Sequence, residues 1–204
     1  MIDVSSQNVF SVHEISLHHF SDGSDDGYGI CSYLRFVSSE GNVHCALVVG
    51  KSRVAPSKIK LTTPRLELIA ATISVEVANF LKQEIEFNID YEMHRCDSTA
   101  TSGYIKNTSK RFRMFVANKI AYINDLSCAD AWQHVESNEN PADHSSRGLS
   151  TLSDETKIEQ WFKGPKFLWS NPIEFKIVQP ILVRMILKFL LPPSQKRWFV
   201  HLLC

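Results

Sequence analysis

Three stretches near the N-terminus carry apolar residues in the manner of strands, about Ile15–Asp22, Tyr28–Val37 and Asn42–Lys51. The links between them are turn chemistry. Gly23, Gly27 and Gly29 punctuate the first link, where they are expected to supply conformations that a β-carbon resists. Ser38-Ser-Glu-Gly-Asn42 forms the second, with Gly41 available for a positive φ. The pattern predicts an antiparallel three-strand meander, preceded by a polar lead-in over residues 1–11. A basic connector with a proline, residues 52–63, follows it, and Lys51, Arg53, Lys58 and Lys60 fall in or beside it.

The period then changes to that of a helix. Between Arg65 and Lys82, Leu66, Ile69, Ala70, Ile73, Val77, Phe80 and Leu81 fall on one face. Thr63 suits the cap and Pro64 the first helical position. Glu67 belongs to the first turn, beside the apolar face, where the helix dipole favours a carboxylate. Tyr91–Cys96 reads as a short strand ending at Asp97, and Ser98 or Thr99 caps a helix over about Thr99–Lys106. A second amphipathic helix, Phe115–Leu126, has Phe115, Val116, Ile120 and Ile123 as its stripe. Ala131–Val135 has the pattern of a fifth strand, Glu136–Pro141 is a turn, and Ala142–Gly148 is a short helix with a glycine stop. The order βββ-α-β-α-α-β-α predicts a mixed α/β sheet flanked by helices.

Residues 12–150 read as one domain and residues 151–204 as a C-terminal connection segment. That segment has an aromatic stretch with a Gly-Pro turn, Lys157–Ser170, and then an apolar run, Ile181–Leu191, with Arg184 and Lys188 four apart on one face. The run is shorter than the roughly 20 residues a bilayer needs and is interrupted by charge, so a docking helix is expected rather than a membrane span.

Composition narrows the function classes. The 204 residues are 44% hydrophobic and 22% charged, a globular composition, and the formal net charge is zero. No global field therefore draws the chain to nucleic acid, and such a partner must be held by a local basic patch or by metal. The five cysteines are odd in number, widely spaced and free of Cys-x-x-Cys, which favours buried thiols in a reducing compartment. With no secretory signal visible, an intracellular protein, cytoplasmic or nuclear, is expected.

Four carboxylates stand at comparable places: Asp22 and Asp97 at strand ends, Glu67 in a helix start, Asp143 at another. In a mixed sheet the first and fourth strands can be neighbours, which would gather a like-charged cluster that is costly unless divalent cations neutralise it. Oxygen-only ligands suit Mg²⁺ or Mn²⁺, and two such ions can clamp the attacking and leaving oxygens of a phosphodiester. Each residue also has an ordinary use, in turns or at a helix dipole. Lys110, Arg111 and Arg113 around Phe112 form a basic-aromatic patch suited to a phosphate backbone, and Lys51, Arg53 and Arg65 could extend it or be a solvated basic face. Asp22-Gly-Ser and Asp97-Ser-Thr superficially suggest an aspartic protease, but the order is wrong and the long helix does not suit that β-rich class. A catalytically silent nucleic-acid- or protein-binding module is the other alternative.

Several blocks decide between these. Phe-Ser-Asp-Gly-Ser (20–24), Lys-Ser-Arg-Val-Ala-Pro (51–56), Leu-Thr-Thr-Pro-Arg-Leu-Glu-Leu (61–68), Cys-Asp-Ser-Thr (96–99), Tyr-Ile-Lys-Asn-Thr-Ser-Lys-Arg-Phe (104–112), Glu-Asn-Pro-Ala-Asp-His-Ser-Ser-Arg-Gly (139–148) and Trp-Phe-Lys-Gly-Pro-Lys-Phe-Leu-Trp (161–169) closely resemble the ribonuclease H region of Bel/Pao-type retrotransposon polyproteins. The resemblance runs from about residue 15 to 170. It implies a ribonuclease H-like five-stranded sheet, three antiparallel strands then two parallel, flanked by helices and followed by a C-terminal helical appendage. It implies two-metal hydrolysis of the RNA strand of an RNA–DNA hybrid, with two Mg²⁺ (or Mn²⁺) held by Asp22, Glu67, Asp97 and Asp143. Asp22 would bridge both ions, Glu67 and Asp97 would complete one site and help place the attacking water, and Asp143 would hold the second ion. The products would carry 3′-hydroxyl and 5′-phosphate ends. The polymerase and integrase portions of a parent polyprotein are the implied neighbours. Cellular ribonucleases H place a mobile histidine shortly before the last aspartate; the loop Glu136–Asn140 has none, and His134 and His144 read as structural.

Overall fold

The computed structural model describes residues 12–57, 61–107, 111–148 and 155–170. The expected lead-in, Lys58, Lys60, Lys110, Cys204 and the apolar run 181–191 lie outside them.

Three long strands, β1 (Val12–Gly23), β2 (Gly27–Ser38) and β3 (Val43–Val54), form the expected meander. β4 (Tyr91–Cys96) and β5 (Trp132–His134) complete a five-stranded sheet of order β3-β2-β1-β4-β5. β1 pairs with β2 and β2 with β3 antiparallel, whereas β1–β4 and β4–β5 are parallel. The first and fourth strands are therefore neighbours. The helices are α1 (Thr63–Glu84), α2 (Thr99–Ile105), α3 (Met114–Leu126), α4 (Asp143–Arg147) and α5 (Glu155–Lys163), with a 3-10 turn at Lys166–Trp169.

Side chains alternate between the two faces of the sheet and meet different layers. On one face Leu17, Leu34, Phe36 and Val48 pack against Leu81 of α1 and Ile85 just beyond it. Farther along, Cys96 and Trp132 pack on Leu68, Ala71 and Val75 of α1 and on Ile120 and Ile123 of α3. On the other face Phe20, Cys31, Tyr33 and Cys45 meet Trp161 of α5 and Leu168. Both central strands are covered on both sides, which explains why β2 is buried almost throughout.

The long helix departs from the expected face. Leu66, Leu68, Ala70, Ala71, Thr72, Ser74, Val75, Ala78 and Leu81 are buried, whereas Ile69, Ile73 and Val77 are half-buried and Phe80 is exposed. Small residues face the sheet because α1 lies close on β1 and β2 while α3 covers its flank. The N-cap is Thr62 rather than Thr63, with no side-chain capping bond, and Thr63 instead donates to Asp25 at 2.9 Å. Glu67 is the fifth helical residue, so it stands just beyond the first turn. Ser98 caps α2 as expected, accepting from the Thr101 amide at 3.1 Å.

A polar seam runs beneath the C-terminal half of α1. His19 stacks on His94 and His94 on Trp132, with ring centroids 4.9 and 4.8 Å apart. Glu92 receives His94 Nε2 at 2.7 Å and Lys82 Nζ at 2.6 Å. Burial opposes ionisation of Glu92, but these partners outweigh it and hold its carboxyl down at about 2. His18, on the opposite face, is kept neutral by burial and by Arg95 and Arg35, its pKa falling to about 3. His18 and His19 are neighbours on β1 and point to opposite faces of the sheet. Among the described residues no helix is long and apolar enough to cross a membrane.

Candidate active site

The hairpin joining β1 and β2 is the platform of the site, and its glycines serve it by lacking a side chain. Gly23, Gly27 and Gly29 do not adopt positive φ; Gly41, Gly148 and Gly164 do. The expected conformational role is thus corrected to a steric one. A β-carbon on Gly23 would run into the backbone of Leu66 and Glu67, and one on Gly29 into Ser145. Bare backbone at these two positions lets the start of α1 and the whole of α4 come down onto the end of β1, where Asp22 stands.

Hydroxyl groups then fasten α4. Ser24 Oγ donates to the Ser146 carbonyl at 3.1 Å, Ser52 Oγ to that of Ser145, and Ser145 Oγ to that of Ile30 at 3.3 Å. Asn140 Nδ2 donates to the Ser21 carbonyl at 3.1 Å, and its Oδ1 accepts the Ala142 amide at 3.2 Å, so the loop entering α4 is tied to β1. Gly148, at φ 88°, ends the helix. Substituting Gly29 with alanine is expected to lift α4, costing about 1–3 kcal/mol of stability by overpacking. Urea unfolding measures that cost, and an unchanged midpoint would show that α4 does not sit as described.

Asp22 is the buried centre of the arrangement. Ser146 Oγ donates to its Oδ2. Burial raises its pKa most, Ser146 pulls it back, and the charges of Asp97 and Asp143 raise it further, to about 6. Glu67 is half-buried and raised for the same first reason, with a hydrogen bond from Ser98 opposing and Asp97 and Asp22 adding to the shift. Asp97 follows the end of β4, whose Cys96 is in register with Ser21 of β1. Asp143 opens α4 and is paired with Arg147 four residues on, Nε to Oδ1 at 2.6 Å. The four carboxylates thus come from four elements to one end of the sheet, within electrostatic reach of Asp22. Among the described residues, however, no three His, Cys, Asp or Glu side chains gather closely enough to hold an ion.

The basic candidates lie around this end. Lys51 and Arg53 are exposed on β3, in register with Ile30 and Tyr28 beside the hairpin. Arg65, exposed in the first turn of α1, places its guanidinium 5.1 Å over the Phe115 ring of α3. Arg111 and Arg113 are exposed just before α3, and Phe112 meets Tyr104 edge-on at 5.2 Å. His134 is exposed at the end of β5, and His144 lies edge-on to Trp161. Sequence reasoning passed over Ser146, Arg147, Asn140 and the serines fastening α4. Only Arg147 had a visible signal, its i,i+4 spacing from Asp143.

Residues 4–98 match the family model described as "Pao retrotransposon-like RNaseH-like domain". Asp22, Glu67 and Asp97 fall within that span and Asp143 beyond it. No curated protein matches the chain. Solved structures similar to it include RNase H1 from the halophilic archaeon Halobacterium salinarum NRC-1, at 16% identity over 65% of this chain and 94% of that one, TM-score 0.40. Another is LC11-RNase H1 in complex with an RNA/DNA hybrid, at 13% identity over 65% of this chain and 93% of that one, TM-score 0.42. A third is the N-terminal RNase H domain of a Mycobacterium tuberculosis protein fused to maltose-binding protein, at 10% identity over 67% and 92%, TM-score 0.43. These are distant likenesses, and the strand order and the family match carry the assignment. Residues 4–98 are thus similar to a Pao retrotransposon-like RNaseH-like domain, and the chain folds into the mixed five-stranded sheet, three antiparallel strands then two parallel, that this resemblance implies.

Proposed function

We propose that the chain hydrolyses the RNA strand of RNA–DNA hybrids, with two Mg²⁺ ions, or Mn²⁺, held by Asp22, Glu67, Asp97 and Asp143. One observation carries this reading: four carboxylates from separate elements share one end of the sheet, and the buried one, Asp22, is lifted to about 6 partly by its neighbours. The donor set fits the ions by chemistry. It is all oxygen, it is like-charged, and its repulsion is what a hard divalent cation relieves. The fit is not closed as the side chains stand, since Ser146 engages Asp22, Ser98 engages Glu67 and Arg147 engages Asp143.

Bound there, such ions would lower the pKa of an attacking water and stabilise the leaving oxygen. The chain's own part is placement. Asp22 sits on a rigid central strand, Glu67 on the long helix lowered onto Gly23, and Asp143 on a helix tied to the hairpin. Arg65, Arg111, Arg113, Lys51, Arg53 and Lys110 are the proposed contacts to phosphates. Because the chain is neutral overall, binding of the hybrid rests on this local charge and weakens with salt. By the same reading the chain works beside polymerase and integrase portions of a parent polyprotein, in the cytoplasm or nucleus.

The test uses purified chain with an end-labelled RNA–DNA hybrid. Mg²⁺-dependent cutting of the RNA strand, leaving 3′-hydroxyl and 5′-phosphate ends, is expected, and Asp22→Asn should abolish it. Cutting that survives Asp22→Asn or chelation would refute the proposal. Hybrid binding with no cutting would leave a silent binding module.

A further inference from the structure

The last residue of α4, though largely exposed, is engaged with the carboxylate cluster. Arg147 Nε lies 2.6 Å from Asp143 Oδ1, and its positive charge also favours the ionised form of Asp22. Beside it, Ser146 Oγ donates to Asp22 Oδ2 and stands 3.1 Å from the Asp143 carbonyl. Two adjacent residues of one five-residue helix therefore occupy two of the four carboxylates, and among the described residues no three acids gather to hold an ion. A guanidinium on Asp143 and a divalent cation on the same carboxylate would be like charges a few ångströms apart, which oppose each other at any dielectric. The Arg147 side chain is 65% exposed, so its guanidinium has water to turn into when a cation displaces it.

We propose that Arg147 is the built-in counter-ion of the carboxylate cluster, that its pairing with Asp143 and the binding of a divalent cation there exclude each other, and that this competition sets the metal affinity of the site. The proposal rests on the reading of Asp22, Glu67, Asp97 and Asp143 as metal ligands. Its role is distinct from ligation: Arg147 stabilises the metal-free chain and weakens, rather than builds, the loaded site. Ser146 differs, because a carboxylate oxygen can accept its hydroxyl and still face a cation.

Mn²⁺ binding to the full chain, followed at neutral pH by the electron paramagnetic resonance of the free ion, tests this without recourse to activity. Arg147→Gln removes the charge from an exposed position and should tighten Mn²⁺ binding about threefold, the scale of one exposed ion pair. Lys163→Gln removes the cation of another exposed i,i+4 pair, with Glu159 of α5, and should leave the affinity unchanged. Unchanged or weaker binding in Arg147→Gln would overturn the proposal, as would equal tightening in Lys163→Gln, which would reduce the effect to net charge. If the folded wild-type chain bound no Mn²⁺ at all, the reading of the carboxylates as ligands would fail first, and the proposal with it.

Discussion

Replacing Trp161 with alanine should remove about 3–5 kcal/mol of unfolding free energy. That is a large share of what a domain of this size holds in reserve. Trp161 closes the core on the face of the sheet that carries Asp22. Its ring lies against Gly50 of β3 so closely that a β-carbon there would stand 2.5 Å from Cζ2. Tyr33 Oη donates to the Trp161 carbonyl at 2.8 Å. Arg35 Nε donates to the Leu168 carbonyl at 2.8 Å, and Trp169 Nε1 to that of Lys163 at 2.8 Å, so α5 and the following 3-10 turn are clamped as one piece. Leu168 and Trp161 share a cluster with Phe20, two residues before Asp22. Alanine would leave a cavity that the clamped neighbours cannot fill. Urea unfolding followed by circular dichroism measures the loss, and a cost below about 1 kcal/mol would mean that α5 is not part of the core. His144 of α4 rests edge-on to the same ring, so the loss of Trp161 should also loosen α4.

Asp22→Asn is expected to do the reverse to stability: in chelator above pH 6 the variant should be more stable than the wild type by about 2–3 kcal/mol. The sign follows from the direction of the shift. The carboxyl titrates near 3.8 when unfolded and near 6 when folded, first because it is buried and then because Asp97 and Asp143 are near. Below the unfolded value both states are protonated and the folded state bears no penalty. As pH rises toward 6 the unfolded chain ionises first, and the folded state loses stability across that window. Asparagine keeps the shape and can still accept from Ser146 without carrying the charge. The gap between the two proteins should therefore open from about pH 4 to pH 6 and stay constant above it. Adding Mg²⁺ should narrow the gap by stabilising the wild type. Thermal melts over that pH range decide it; a variant less stable than the wild type throughout would mean that Asp22 is stabilised, not strained, in its setting.

Element existence was legible from local pattern. The apolar composition of the first three strands, the helical period after Thr63 and the turn at Gly41 each needed only neighbours in sequence. The identity of the inward face of α1 was not legible. Hydrophobicity favours Ile69, Ile73 and Phe80, but contact with the sheet on one side and α3 on the other selects Leu68, Ala71 and Val75, because small side chains let the helix approach. Likewise His19, His94, Glu92 and Lys82 give no local sign of a buried seam; β1–β4 pairing and the passage of α1 create it.

By itself the sequence determined the strands and helices, the ribonuclease H class through its ordered motifs, and four carboxylates as candidates for one chemistry. The tertiary structure decided how close those carboxylates come and what holds them. Gly23 and Gly29 look like turn glycines along the chain, and only the packing of α1 and α4 shows that they keep space for Glu67 and Ser145. Ser146 and Arg147 look like ordinary helix residues until α4 is set on the hairpin, where one meets Asp22 and the other pairs with Asp143. The physical reason is range: periodicity and turn chemistry act over a few residues, whereas the charge and burial of Asp22 depend on groups as far as 124 positions away.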